Sequence, residues 1–180
     1  MVWTRELLTA TDVAQLAARS FSPPALDDAD GGRAAAAMHR HFSARPGATG
    51  LTVRTTDGRV LGHAYGYPDF RWAAHTSDWD DLPRAALGGE DPRLVGAWTL
   101  MLLAVDPDAQ GRGLGRSLLR GVVPAGADAW LVTRDAATPA QRLYSAEGWT
   151  EIGRGLLGQP GDTSTVLFSP GGGQPPTPPA

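Results

Sequence analysis

Residues 98 to 123 constrain this chain more than any other stretch: WTLMLLAV, then DPDAQGRG, then LGRSLLRGVV. The first eight carry no charge and a single hydroxyl, as a strand buried on both faces would. In the last stretch Leu114, Leu118, Leu119 and Val122 recur at helical spacing. Between them Gly111, Gly113 and Gly115 stand at alternate positions with Arg112 and Arg116 beside them. A chain that passes from buried strand through a bare basic turn into an amphipathic helix is committed to a sheet with helices packed on it.

The rest of the chain extends that pattern. Thr11 or Asp12 can cap a short helix carrying Val13, Leu16 and Ala17, and an alanine-rich helix is expected over Arg33 to Ala44. Leu51 to Thr55 and Val60 to Tyr67 read as strands joined through Asp57-Gly58, a hairpin signal. Pro68 to Gly96 is a long irregular insert with one helical turn around Leu82 to Leu87. Pro124 and Gly126 close the helix after the glycines, and Trp130 to Thr133 is a further buried strand. Thr138-Pro139-Ala140-Gln141 has the residues of a capping box with proline at the first helical position. That helix should run to Glu147 and stop at Gly148, with Trp149 packing back. Glu151 to Leu157 and Thr163 to Phe168 make a last strand pair. Residues 1–169 are expected to form one domain, and 170–180 (PGGGQPPTPPA) a disordered Pro/Gly-rich tail. The fold class is α/β (α+β): the element order implies a mixed sheet with helices on both faces.

Composition removes several chemistries. The chain has no cysteine, and all sixteen of its basic residues are arginine. Disulfides, thiolate nucleophiles, cysteine-ligated zinc, Schiff-base lysines and lysine-bearing P-loops are therefore excluded. The net charge of −3 gives no reason to expect a nucleic-acid partner. No apolar stretch is long enough to cross a bilayer and the N-terminus lacks a signal-peptide core, so the expected location is the cytoplasm. His39 and His41 do not share a helix face, and no metal site is expected.

Three phosphate-binding patterns compete for the glycine turn. The P-loop needs a lysine, and the dinucleotide fingerprint GxGxxG is not met, because the third glycine arrives one residue early. The pattern Q/R-x-x-G-x-G/A is met by Gln110, Gly113 and Gly115. Glycines let the backbone approach a diphosphate, and the first amides of a helix favour an anion. A turn chosen for conformation alone remains the alternative.

Leu103-Ala104-Val105-Asp106-Pro107, followed by Gln110-Gly111-Arg112-Gly113-Leu114-Gly115, closely resembles the acetyl-CoA motif of the GNAT superfamily of acetyltransferases. TPAQRLYSAEGW, Thr138 to Trp149, resembles that superfamily's next motif. The match covers Trp98 to Gly153 directly and the N-terminal half by element order. It implies a mixed, mostly antiparallel central sheet of about six or seven strands, that backbone groups of Leu103, Ala104 and Val105 pair with a pantetheine arm, and that amides of Gly111 to Arg116, with Gln110, take the diphosphate. It also implies that Tyr144 donates a proton to the departing thiolate. Two departures stand out. Where many relatives carry a CoA-contacting asparagine this chain has Ala137, so Thr138 substitutes or the contact is lost; and the inner strands carry no carboxylate to serve as general base.

An alkylamine must lose a proton to attack. His63, His75, Asp78, Asp80, Asp81, Glu90 and Asp91 are the candidates to take it. Phe70, Trp72 and Trp79, following Tyr65 and Tyr67, could line a pocket for a cationic amine or simply cover the sheet. The expectation is an acetyl-CoA-dependent N-acetyltransferase that uses acetyl-CoA as co-substrate, needs no metal, and acts by direct attack on a primary amine, a small molecule before a protein N-terminus or side chain. A non-catalytic acyl-CoA-binding sensor is the rival. The partners expected are acetyl-CoA and the amine, without nucleic acid or membrane; a homodimer is left open.

Overall fold

The computed structural model describes residues 1–21, 28–74, 78–135, 138–156 and 163–171. Among the described residues, seven strands and five α-helices follow one another as β1 (Val2–Thr4), α1 (Ala10–Ser20), α2 (Asp28–Phe42), β2 (Thr49–Arg54), β3 (Val60–Tyr67), α3 (Asp78–Leu87), β4 (Trp98–Val105), α4 (Leu114–Val122), β5 (Ala129–Arg134), α5 (Pro139–Ala146), β6 (Thr150–Leu156) and β7 (Thr163–Ser169). The strand order is β1-β2-β3-β4-β5-β7-β6. Pairs β1/β2, β2/β3, β5/β7 and β6/β7 are antiparallel, and β4/β5 is parallel through Trp98↔Ala129 and Thr99↔Trp130. The sheet is thus mixed and mostly antiparallel, as the sequence led us to expect.

Contacts divide the chain into two compact units, Met1–Tyr67 with Leu100–Val123, and Pro68–Thr99 with Pro124–Thr177. In the first unit, successive side chains of β3 point to opposite faces of the sheet. His63 and Tyr65 lie against His39 of α2, with ring centroids 6.4 and 4.6 Å from it. Gly62 faces the other way, where a Cβ would come within 2.9 Å of Leu118 Cδ1 on α4. Helices therefore cover both faces. α4 buries Leu114, Leu118, Leu119 and Val122, the stripe read from spacing. Each such side chain contributes roughly 1.5–3 kcal/mol when removed from water.

The N-terminal helices differ from expectation in their boundaries. α1 is capped by Thr9, whose hydroxyl accepts from Asp12 N at 3.1 Å, rather than by Thr11 or Asp12. α2 begins at Asp28, five residues before the expected Arg33. Gly31 and Gly32, ahead of the expected start, lie inside it. Gly32 lets α2 approach α1, where a Cβ would sit 2.8 Å from Ala14 O. β1 was not foreseen; three residues are too few to show alternation.

In the second unit the insert is more regular than its composition suggests. α3 has ten residues, with Pro83 inside it. It packs on β6 and β7, and β6 admits it through two glycines. A Cβ at Gly153 would meet Ala86 O at 2.7 Å, and one at Gly155 would meet Ala86 Cα at 2.8 Å. α5 ends as the sequence implied. Gly148 takes φ 80°, Gly148 N donates to Ser145 O at 3.1 Å, and Trp149 N donates to Tyr144 O at 3.0 Å. This is a Schellman ending, completed by the Tyr144 and Trp149 rings 5.8 Å apart. The capping box is half formed: Thr138 accepts from Gln141 N, but the Gln141 side chain donates to Arg134 O. At the end of β7, Gly171 N donates to Asp128 Oδ1 at 2.6 Å; the tail beyond it lies outside the described residues.

Replacing Gly155 by alanine forces a methyl group against α3 backbone that cannot rotate away. Urea denaturation should show Gly155→Ala destabilised by about 1–3 kcal/mol, and Gly58→Ala, whose Cβ would meet nothing within 4 Å, should lose only the smaller conformational cost of its φ of 94°.

Candidate active site

The site begins where β4 ends. Along that strand Leu103 and Val105 are half-buried and Ala104 is buried. Asp106 N donates to Leu61 O at 2.8 Å, and a single 3-10 turn, Pro107–Ala109, follows. The Gln110 side chain reaches back to donate to Val105 O at 3.1 Å, which closes the loop at its base. Gly111 and Gly113 then take φ of 74° and 77°, in the left-handed region open to glycine. A Cβ at either would meet nothing within 4 Å, so these two glycines are required by conformation and not by crowding.

Gly113 is the N-cap of α4 and brings no side chain to accept from the helix's first amides. Those amides, from Leu114, Gly115 and Arg116, point out of the helix end and carry its positive pole. Arg112 and Arg116 are exposed beside them, as are Gln110, Gly111 and Gly113, while Leu114 is buried and Gly115 half-buried. The arrangement fits a diphosphate: open space above two glycines, uncapped amides, and two guanidinium groups.

Thr138 and Tyr144 belong to the second unit. Thr138 Oγ1 is engaged as the N-cap acceptor of α5, and it is half-buried. Tyr144 is buried, and burial pushes its phenol well above the ordinary tyrosine range. The hydroxyl is therefore protonated at neutral pH, the form an acid must hold. Ala137 lies outside the described residues.

The candidate bases fare differently. His63 is fully buried, its Nδ1 2.9 Å from Thr52 Oγ1. Desolvation, with His39 nearby, lowers its pKa to about 4. So placed, it is a core histidine and a poor acceptor for a proton from an amine. Asp81 and Glu90 both pair with Arg84, at 2.7 and 3.2 Å. Asp91 caps the 3-10 turn Pro92–Leu94 and pairs with Arg93 at 2.5 Å. His75 and the side chains of Asp78, Trp79 and Asp80 lie outside the described residues. The insert's described aromatics serve packing: Phe70 lies 4.7 Å from Trp130 and 4.9 Å from Trp72, and Arg84 covers the Trp72 ring at 5.3 Å. Tyr65 faces His39 and Tyr67 stacks on Phe42.

One residue of the turn escaped the sequence analysis. Asp106 is 2% exposed and holds two arginines, Arg19 and Arg59. Asp-Pro after an apolar strand hints at a cap, but partners 87 and 47 residues away leave no local signal.

Comparison with known proteins shows the family and the fold. The family model of the acetyltransferase (GNAT) family matches residues 11–149. No curated protein matches the chain in sequence. Among solved structures, one from Desulfovibrio desulfuricans assigned to the GNAT family superposes with TM-score 0.62 at 19% identity, covering 94% of this chain and 98% of the other. The ribosomal-protein-S18-alanine N-acetyltransferase of Escherichia coli gives 0.56 at 19% identity, covering 94% of both. A chain of the NatC complex bound to Gag peptide and CoA gives 0.60 at 13%, covering 94% and 99%. Among the described residues no group of acids and histidines could hold a metal ion, and no helix is long and apolar enough to cross a membrane.

The buried histidines give the fold a pH limit. His39 and His63 both have pKa values lowered by desolvation, Glu6 and Arg54 being the nearest charged groups acting on His63. The unfolded chain binds their protons first as pH falls below about 6.5, so stability present above that value declines toward pH 4. For His63 alone the loss by pH 5 should be on the order of 2 kcal/mol. Urea midpoints between pH 7.5 and 5 will test this, with His63→Asn expected to flatten the dependence. The chain, with its glycine turn at the head of α4, belongs to the GNAT family of acetyltransferases and is an acyltransferase.

Proposed function

We propose that this protein transfers acetyl from acetyl-CoA to a primary amine by direct attack in a ternary complex, the acceptor being a small molecule. The observation that carries the reading is the left-handed Gly113 at the head of α4, which presents uncapped helix amides between Arg112 and Arg116. Those amides would hold the diphosphate, with Gln110 bracing the turn against Val105 O. Backbone groups of Leu103, Ala104 and Val105 would hold the pantetheine arm; β4 takes its registered partners on β5 upstream of them, at Trp98 and Thr99. Thr138 would take the place of the asparagine that many relatives carry.

Acetyl-CoA supplies an activated thioester. The neutral amine forms the new C–N bond, the C–S bond breaks, and sulfur keeps the electron pair. Tyr144 gives its proton to that sulfur, the surplus proton of the amine leaves to water, and the Tyr144 phenolate takes a proton back from water, which restores the enzyme. With no cysteine in the chain, an acyl-thioester on the enzyme is excluded. Asp81, Glu90 and Asp91 are held by arginines, so the preference for a small cationic acceptor rests on the acidic and aromatic composition of the insert.

Thermal unfolding tests the first half. Acetyl-CoA at a hundred times its dissociation constant should stabilise the fold by about 2.7 kcal/mol, roughly 5–10 °C in Tm, while ATP and NAD should not. An amine screen that detects free thiol tests the second. With an accepted amine, Tyr144→Phe should lower kcat by roughly 10²–10⁴ and leave acetyl-CoA affinity intact. Binding without thiol release from any amine would mark a sensor of acyl-CoA instead.

A further inference from the structure

Asp106 is a carboxylate with almost no access to water, placed between the strand and the glycine turn. Two guanidinium groups reach it from distant parts of the first unit. Arg19 Nε, in the last turn of α1, donates to Oδ2 at 3.1 Å. Arg59 Nη2, just before β3, donates to Oδ1 at 3.0 Å and also to Asp108 Oδ2 at 3.0 Å. Asp106 meanwhile directs the chain that follows it: Oδ1 accepts from Asp108 N at 3.1 Å and so caps the turn Pro107–Ala109. A cavity of about 460 Å³ opens alongside, lined in part by Asp12, Gln15, Arg54 and the two arginines. The outer sides of Arg19 and Arg59 are half-exposed.

Net stability is a weak reason for keeping such a cluster, since a buried ion pair often contributes no more than apolar residues of the same shape. What a carboxylate between two planar forks does fix is direction. Oδ2 of Asp106 is tied to α1, while Oδ1 is shared between the β2–β3 hairpin and the first backbone turn of a loop that reaches Gly111 five residues later. We propose that Asp106, clamped by Arg19 and Arg59, is a positioning residue that sets where the amides at the head of α4 point when they receive a phosphate. The inference rests on the reading of the glycine turn as a diphosphate seat.

Calorimetric titration with acetyl-CoA at fixed salt tests it, beside Tm for each variant. Asp106→Asn keeps the cap acceptor and the shape but removes the charge that both arginines answer. It should weaken acetyl-CoA binding about tenfold. Arg19→Gln and Arg59→Gln should each weaken it in the same direction. Glu6→Gln, which breaks the 3.0 Å pair with Arg54 in the same unit, should leave affinity unchanged. Variants that lose Tm but bind acetyl-CoA as the parent does would overturn the proposal, by showing that the cluster only stabilises the fold. Should Asp106→Asn not fold, the two half-exposed arginine variants decide the question alone. Failure of the parent protein itself to bind acetyl-CoA would overturn the diphosphate reading first, before any variant is compared.

Discussion

The head of α4 is the constraint on which the presented end of the first unit depends. A helix must leave its first amides without partners inside itself, and most helices answer them with a Ser, Thr, Asp or Asn side chain. α1 and α5 do so with Thr9 and Thr138. α4 has Gly113 instead, and its amides are turned to the outside. That arrangement is stable only because the rest of the helix is fixed elsewhere, by Leu118 over Gly62 and by Gly121 against Leu51. β4, uncharged along its whole length, fixes the other end of the loop.

Glycines divide the labour in this molecule. At Gly111 and Gly113 nothing stands near the missing side chain, and the backbone conformation alone demands glycine. At Gly32, Gly62, Gly153 and Gly155 a neighbour occupies the space, and the residue is there to let two elements meet. The first kind shapes a surface that can receive a ligand, and the second kind seats helices on helices and sheets.

Charge is handled with arginine alone. In the insert, Arg84 and Arg93 are spent on Asp81, Glu90 and Asp91. At the turn, Arg19 and Arg59 are spent on Asp106. Histidine is used as packing: His39 donates to Leu8 O at 2.8 Å and presses its ring on Tyr65, while His63 is closed off from water.

The strand, turn and helix from Trp98 to Val122 were legible from sequence because each signal there is local: an apolar run, glycines where φ is positive, and leucines at helical spacing. The same holds for the ending of α5, written in Gly148 and Trp149. The start of α2 was hidden because Gly31 and Gly32 carry the marks of a turn, and only the approach of α1 makes them helical. The insert looked irregular because α3 takes its support from two glycines of β6 more than sixty residues away. Whether a histidine, a tyrosine or an aspartate works in the core or at a surface is a matter of what surrounds it in space. Sequence therefore determined the presence and position of the glycine turn between β4 and α4. Only the tertiary structure decided that His63 is sealed, that Asp81, Glu90 and Asp91 are already paired, and that Asp106 is held by two arginines, since burial and charge pairing arise between residues far apart in the chain.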